Sequence, residues 1–79
     1  IGNPFQNEIR ITLYLAEHEM VTVRLFDAAG KLVRAKSFHG TRGVNNFSLP
    51  NLTHLPSGAY NISIISNSHS ISKKLIKPN

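Results

Sequence analysis

Val21-Thr22-Val23-Arg24-Leu25-Phe26-Asp27-Ala28-Ala29-Gly30-Lys31-Leu32-Val33 decides the fold. Val21, Val23 and Leu25 take alternate positions, with Thr22, Arg24 and Phe26 between them. Side chains on a strand point to opposite faces with a period of two, so this is a strand with one buried face. Asp27-Ala28-Ala29-Gly30 then reads as a turn, with Gly30 free to take positive φ. The chain leaving the turn at Lys31 runs back beside the first strand, which makes a β-hairpin. The returning run, Lys31 to Phe38, is less regular: Leu32 is assigned to one face, Val33 and Ala35 to the other.

Outward from this hairpin the same period recurs. Ile9, Ile11, Leu13 and Leu15 alternate with Glu8, Arg10, Thr12 and Tyr14, and Ala16 to Glu19 is a polar turn. On the other side, His39-Gly40-Thr41-Arg42-Gly43 carries two glycines to reverse the chain. Val44, Asn46 and Ser48 oppose Asn45, Phe47 and Leu49 on the next strand. Pro50 ends that strand by removing a ladder donor. Asn51 to Ser57 is the longest loop, and its Leu52 and Leu55 are expected to pack over one end of the core. Tyr60, Ile62 and Ile64 form an inward face, Ser66 to Ser70 a turn, and Ile71 to Lys77 the closing strand. Pro4-Phe5 reads as a short opening strand. With turns about every ten residues and no helical period, the expectation is all-β: an immunoglobulin-like antiparallel β-sandwich of six or seven strands.

Composition bounds the rest. Seventy-nine residues make one domain, 1–79, with a thin core, because a chain this short buries only about 60% of its unfolded surface. It holds no cysteine, so packing and sheet hydrogen bonds must supply the stability. No apolar run approaches the about 20 residues of a membrane helix, and no signal-peptide pattern is present. Ile1 is not a natural start, so the chain is read as a fragment from the end of a longer exported protein. The net charge is +5. Arg10, Arg24, Lys31, Arg34, Lys36 and Arg42 are scattered over four segments with no interleaved aromatics beyond Phe26 and Phe38, which argues for a solvated basic surface and against nucleic-acid binding. Only Lys73, Lys74 and Lys77 cluster in sequence.

Catalysis and metal binding find little support. Glu17 and Glu19 flank His18 in a turn, where positions two apart need share no face. His18, His39, His54 and His69 are all assigned to turns spaced along the chain, which does not converge a ligand set. The serines of the last third lack a Gly-x-Ser-x-Gly elbow, and Gly40 and Gly43 lack the following helix that a phosphate loop needs. The Asn-x-Ser/Thr triplets at Asn46, Asn51 and Asn61 are expected by chance in a chain rich in Asn and Ser. No catalytic residue, metal or cofactor is expected.

The motifs, in order, are Asn3-Pro4-Phe5, then Val21 through Val33 with its Asp27, Gly30 and Lys31. They continue with Gly43-Val44-Asn45, with Leu55-Pro56-Ser57-Gly58-Ala59-Tyr60, and with Lys73-Lys74-Leu75-Ile76-Lys77. This order resembles the type A C-terminal sorting domain of the type IX (Por) secretion system of Bacteroidetes, over essentially the whole chain. Asn61 after Tyr60 and the extension Pro78-Asn79 depart from the family pattern. Physical reasons cover most of the motif. Pro4 opens an edge, Asp27 and Gly30 set a tight turn, and Gly58 admits a kink. Tyr60 is an amphipathic anchor whose hydroxyl can reach a polar partner. Lys73, Lys74 and Lys77 are read as unnecessary for packing, though lysines on an edge strand also deter aggregation.

The resemblance implies a non-catalytic signal, with Lys73, Lys74, Leu75, Ile76 and Lys77 carrying much of what is recognised. It implies passage through the periplasm and recognition by a shuttle protein and an outer-membrane translocon. Removal by a sortase-type protease follows, and the parent protein ends up secreted or at the cell surface. The alternative reading is an immunoglobulin- or fibronectin-like module that binds carbohydrate or protein, which would display exposed aromatics.

Overall fold

In a computed structural model, which describes residues 4–78, the chain forms six antiparallel strands and no helix. They are β1 (Ile9–Leu15), β2 (Glu19–Asp27), β3 (Leu32–Gly40), β4 (Gly43–Leu49), β5 (Gly58–Ile65) and β6 (Ser70–Lys77). A four-stranded sheet has the order β3-β2-β5-β6, and a two-stranded sheet pairs β1 with β4. Their inner faces share one core. Ile9, Ile11, Leu13, Leu15 and Leu49 come from the small sheet, and Val21, Val23, Leu25, Tyr60, Ile62, Ile64 and Leu75 from the large one. This is an antiparallel β-sandwich.

The alternation read in the sequence is the alternation observed. Along β1 buried and exposed residues alternate without a break, and β5 buries Tyr60, Ile62 and Ile64. The sandwich is completed where the small sheet ends: Leu52 is fully buried and Leu55 partly so, which caps one end of the core. That loop is tied down by Leu52 N–H donating to Asn7 O at 2.8 Å and Thr53 Oγ1 donating to Asn7 Oδ1 at 2.6 Å.

The β2–β3 turn is closed mainly by Asp27. Its Oδ1 accepts from Ala29 N–H at 3.0 Å and Lys31 N–H at 2.9 Å, while its carbonyl accepts from Gly30 N–H at 3.0 Å. A three-residue loop of this kind needs its last residue left-handed, and Gly30 has φ +85°.

Four expectations need correction. Pro4-Phe5 is not a strand: Pro4 has no N–H to give, and among the described residues Phe5 is tied to β6 by its N–H, which donates to Ile76 O at 3.1 Å. The faces of β3 are not as read, because Leu25 pairs with Arg34 but Phe26 with Leu32. Val33 is an extra residue in a β-bulge, so Leu32 and Ala35 share the outer face while Arg34 and Lys36 take the inward positions. His39 lies within β3, not in a turn. Finally, only Gly43 of the two turn glycines takes positive φ; Gly40 is required for space, since a Cβ there would stand 2.2 Å from Leu15 Cδ1.

Candidate functional site

The motif residues are scattered along the sequence, and the topology gathers most of them at one end of a body measuring 38 × 20 × 16 Å. The registers put Asp27 opposite Tyr60 between β2 and β5, and Gly58 opposite Lys77, Ala59 opposite Ile76 and Tyr60 opposite Leu75 between β5 and β6. Phe5 joins them by its bond to Ile76 and by an edge-on contact with Tyr60, ring centroids 5.6 Å apart. Pro4 is exposed beside it. Gly43 lies at the far end, opposite Leu15. Asn3 is outside the described residues.

Tyr60 is the pin of this corner. Its ring is buried against Phe5, and its hydroxyl donates to Pro56 O, four residues upstream, in the manner of the tyrosine corners of other β-sandwiches. Burial pushes the phenol pKa up, and the nearby Asp27 carboxylate adds to the effect. Gly58 starts β5 at φ +144°, a conformation that L side chains rarely adopt. A shallow cleft of about 290 Å³ opens here, with Asp27, Leu55, Pro56, Gly58 and Tyr60 among its walls.

The closing strand divides its lysines rather than clustering them. Ile71, Lys73, Leu75 and Lys77 sit on the inward side of β6, and Ser72, Lys74 and Ile76 on the outer side. Leu75 is fully buried, Ile76 is 41% exposed, and Lys73 and Lys74 are exposed. Lys77, by contrast, is only 8% exposed. The expectation that it plays no part in packing is therefore corrected. Lys77 lies on the inward side of β6 two residues beyond Leu75, with Gly58 as its cross-strand neighbour.

The charge around β6 is one-sided. All four acids of the chain lie within residues 8–27, whereas seven of the nine Lys and Arg follow Asp27. Three of those acids are engaged elsewhere. Asp27 holds its own turn. Glu8 accepts from Arg10 Nε at 2.9 Å and Ser48 Oγ at 2.8 Å, and those interactions, Ser48 first, hold its carboxyl below the usual range. Glu19 accepts from Ser68 N–H at 3.1 Å and Ser68 Oγ at 2.8 Å, and the hydroxyls of Ser66 and then Ser68 lower its pKa.

Glu19 is thus a brace between β2 and the β5–β6 turn rather than part of a Glu17-His18 cluster. Among the described residues no three His, Asp or Glu gather to hold a metal. Ser68 Oγ does stand 2.9 Å from His69 Nδ1, but the carboxylate bonds to the serine and not to the imidazole. Among the described residues no carboxylate hydrogen-bonds that histidine to orient it as a base, and the serine is exposed in a turn.

One structural residue lay in a quoted motif without a role assigned to it. Asn45 is buried at 7% exposure, and its side chain organises the β3–β4 turn. Nδ2 donates to Thr41 O at 2.8 Å and Gly43 O at 3.0 Å, and Oδ1 accepts from Thr41 N–H at 3.0 Å. Its inward parity with Phe47 and Leu49 was the available signal.

Of the aromatics, Tyr14 is the widely exposed one at 63%, beside Val44 on the outer face of the small sheet. Phe38 and Phe47 stack on each other, centroids 4.5 Å apart, so no aromatic platform is formed among them. No helix is long and apolar enough to cross a membrane among the described residues. Set against known proteins, residues 2–78 match the model of a family described as secretion system C-terminal sorting domain. No curated protein and no solved structure matches.

Proposed function

We propose that this chain, which belongs to the secretion system C-terminal sorting domain family, acts as the address by which its parent protein is exported and takes no part in catalysis. A domain of this family is a C-terminal sorting signal for type IX secretion, and proteins that carry one are secreted or surface-attached in Bacteroidetes. The observation that carries the reading is the match across residues 2–78. The finer steps are part of the proposal. The parent reaches the periplasm, a shuttle protein and the outer-membrane translocon receive the domain, and a sortase-type protease removes it. The domain is a substrate of that machinery.

Within it, Lys73, Lys74 and Ile76 are proposed as the directly read residues, because their side chains stand in solvent. Leu75 and Lys77 contribute by holding the strand in place. Asp27, Gly30, Gly58, Tyr60 and Phe5 shape the end of the sandwich against which the strand is presented, and the exposed Pro4 and Lys31 flank it.

The test is export of a periplasm-directed fluorescent reporter fused ahead of this chain in a type IX-competent host. Truncating from Lys73 would strip Leu75 out of the core, so charge reversal, K73E with K74E, is the cleaner variant. Surface delivery by the parent fusion and its loss in the folded double variant are expected. A reporter that stays in the periplasm with the intact chain attached would sink the reading.

A further inference from the structure

We infer that the open edge of β6 is a docking site for an extended acidic segment of a partner protein, which adds to the four-stranded sheet by backbone pairing. One edge of β6 is bonded to β5 in eight registered pairs without a shift, so the strand is regular from Ser70 to Lys77. The other edge meets Phe5 at Ile76 O. Backbone groups on a strand alternate sides, so the outward Ile76 carbonyl fixes the parity: N–H and C=O of Ser72 and Lys74 also point away from β5. Among the described residues these groups have no strand beside them. A regular edge of this kind is a template for an added strand.

The sheet's other edge is not equivalent. β3 is broken by the bulge at Val33, and its cations are committed. Arg34 donates to Val33 O at 2.9 Å and to Asn51 O at 3.3 Å, and Lys36 Nζ sits 5.3 Å from the centre of the Phe38 ring. On β6, the side chains of Lys73 and Lys74 make no ion pair, hydrogen bond or ring contact among the described residues. They flank the open backbone groups, one on each face of the sheet.

Charge selects the occupant. A second copy of β6 laid along this edge would set lysine against lysine, which disfavours the pairing. This chain cannot supply the complement itself: its acids lie between residues 8 and 27, and the two on strands, Glu19 and Asp27, sit at the ends of β2 and are already bonded. An extended segment with two consecutive acids among β-formers places one acid on each face, so it meets Lys73 and Lys74 with opposite charge while its backbone pairs with Ser72 and Lys74. That the segment belongs to the export machinery rests on the function proposed above; the docking itself does not.

The probes are three short capped peptides added to the isotopically labelled 79-residue chain. One carries a Glu-Glu pair flanked by Val and Thr, one has Lys in place of Glu, and one is the Glu peptide N-methylated at alternate residues. The Glu peptide is expected to slow amide hydrogen exchange at Ser72 and Lys74 and to bind about tenfold more tightly than the Lys peptide. N-methylation should abolish binding, and K73E with K74E should reverse the preference. Ser72→Pro, which removes an outward N–H that the β5 ladder does not use, should block binding with the remaining strand signals unmoved.

Protection at another edge, or equal binding of all three peptides, would overturn the proposal. Export failing in the K73E/K74E fusion while no peptide docks would leave the sorting reading standing and this one refuted. Docking with export unaffected would leave this proposal standing and refute the assignment of Lys73 and Lys74 as the residues read in sorting.

Discussion

At the scale of single residues, polar side chains fix the turns and their energies can be ordered. Asn45, itself buried, pairs with backbone groups of Thr41 and Gly43 and so fixes the β3–β4 turn. Asn45→Ala should lower the unfolding free energy by about 1–3 kcal/mol, read in a urea titration; an unchanged midpoint would remove Asn45 from the account of the turn. The carboxylates give a pH dependence. Glu8 and Glu19 have folded pKa values held below their ordinary ones, so the stability they contribute is present above the unfolded pKa. It is lost as pH falls through the folded values, below about 4.3. Tyr60 acts in the opposite sense: its raised pKa contributes stability present below about pH 10 and lost as pH rises beyond it. Thermal scans across pH should therefore decline on both flanks, with Glu19→Gln flattening the acid flank alone. An acid flank identical in Glu19→Gln would contradict the brace between β2 and the β5–β6 turn.

At the scale of elements, β6 has two characters in adjacent residues. Leu75 is fully buried opposite Tyr60, whereas Ile76 is 41% exposed on the other face. Leu75→Ala should cost about 2–5 kcal/mol and Ile76→Ala less than about 1 kcal/mol, measured by chemical denaturation. Equal costs would mean that the strand's facing is wrong. The same strand shows what was legible from sequence. Strands with a uniform period, such as β1 and β5, were readable because every inward position is apolar. β3 was not, because a bulge adds one residue and an edge strand tolerates Arg34 and Lys36 facing inward. Lys77 was misread because its residue type argued for exposure, whereas its place on the inward side of β6, two residues beyond Leu75, leaves it buried. The separation of Lys73 from Lys74 onto opposite faces follows directly from the strand period.

At the scale of the whole molecule, the sandwich is unequal. A two-stranded sheet covers a four-stranded one, with Leu52, Leu55 and Phe5 closing part of what remains. Motifs far apart in sequence meet at one end because β2, β5 and β6 are neighbours and Phe5 bonds to Ile76. The gathering of the motif at one end therefore needed the sheet order, while the membership of each residue in the motif was readable beforehand. The account's central claim is that this folded domain is an export address read at its closing strand. It is tested most directly by the fraction of a periplasm-directed reporter that reaches the cell surface when it carries this chain, compared with the K73E/K74E chain shown to be equally folded. The account predicts surface delivery for the first and periplasmic retention for the second; equal delivery of both would contradict it.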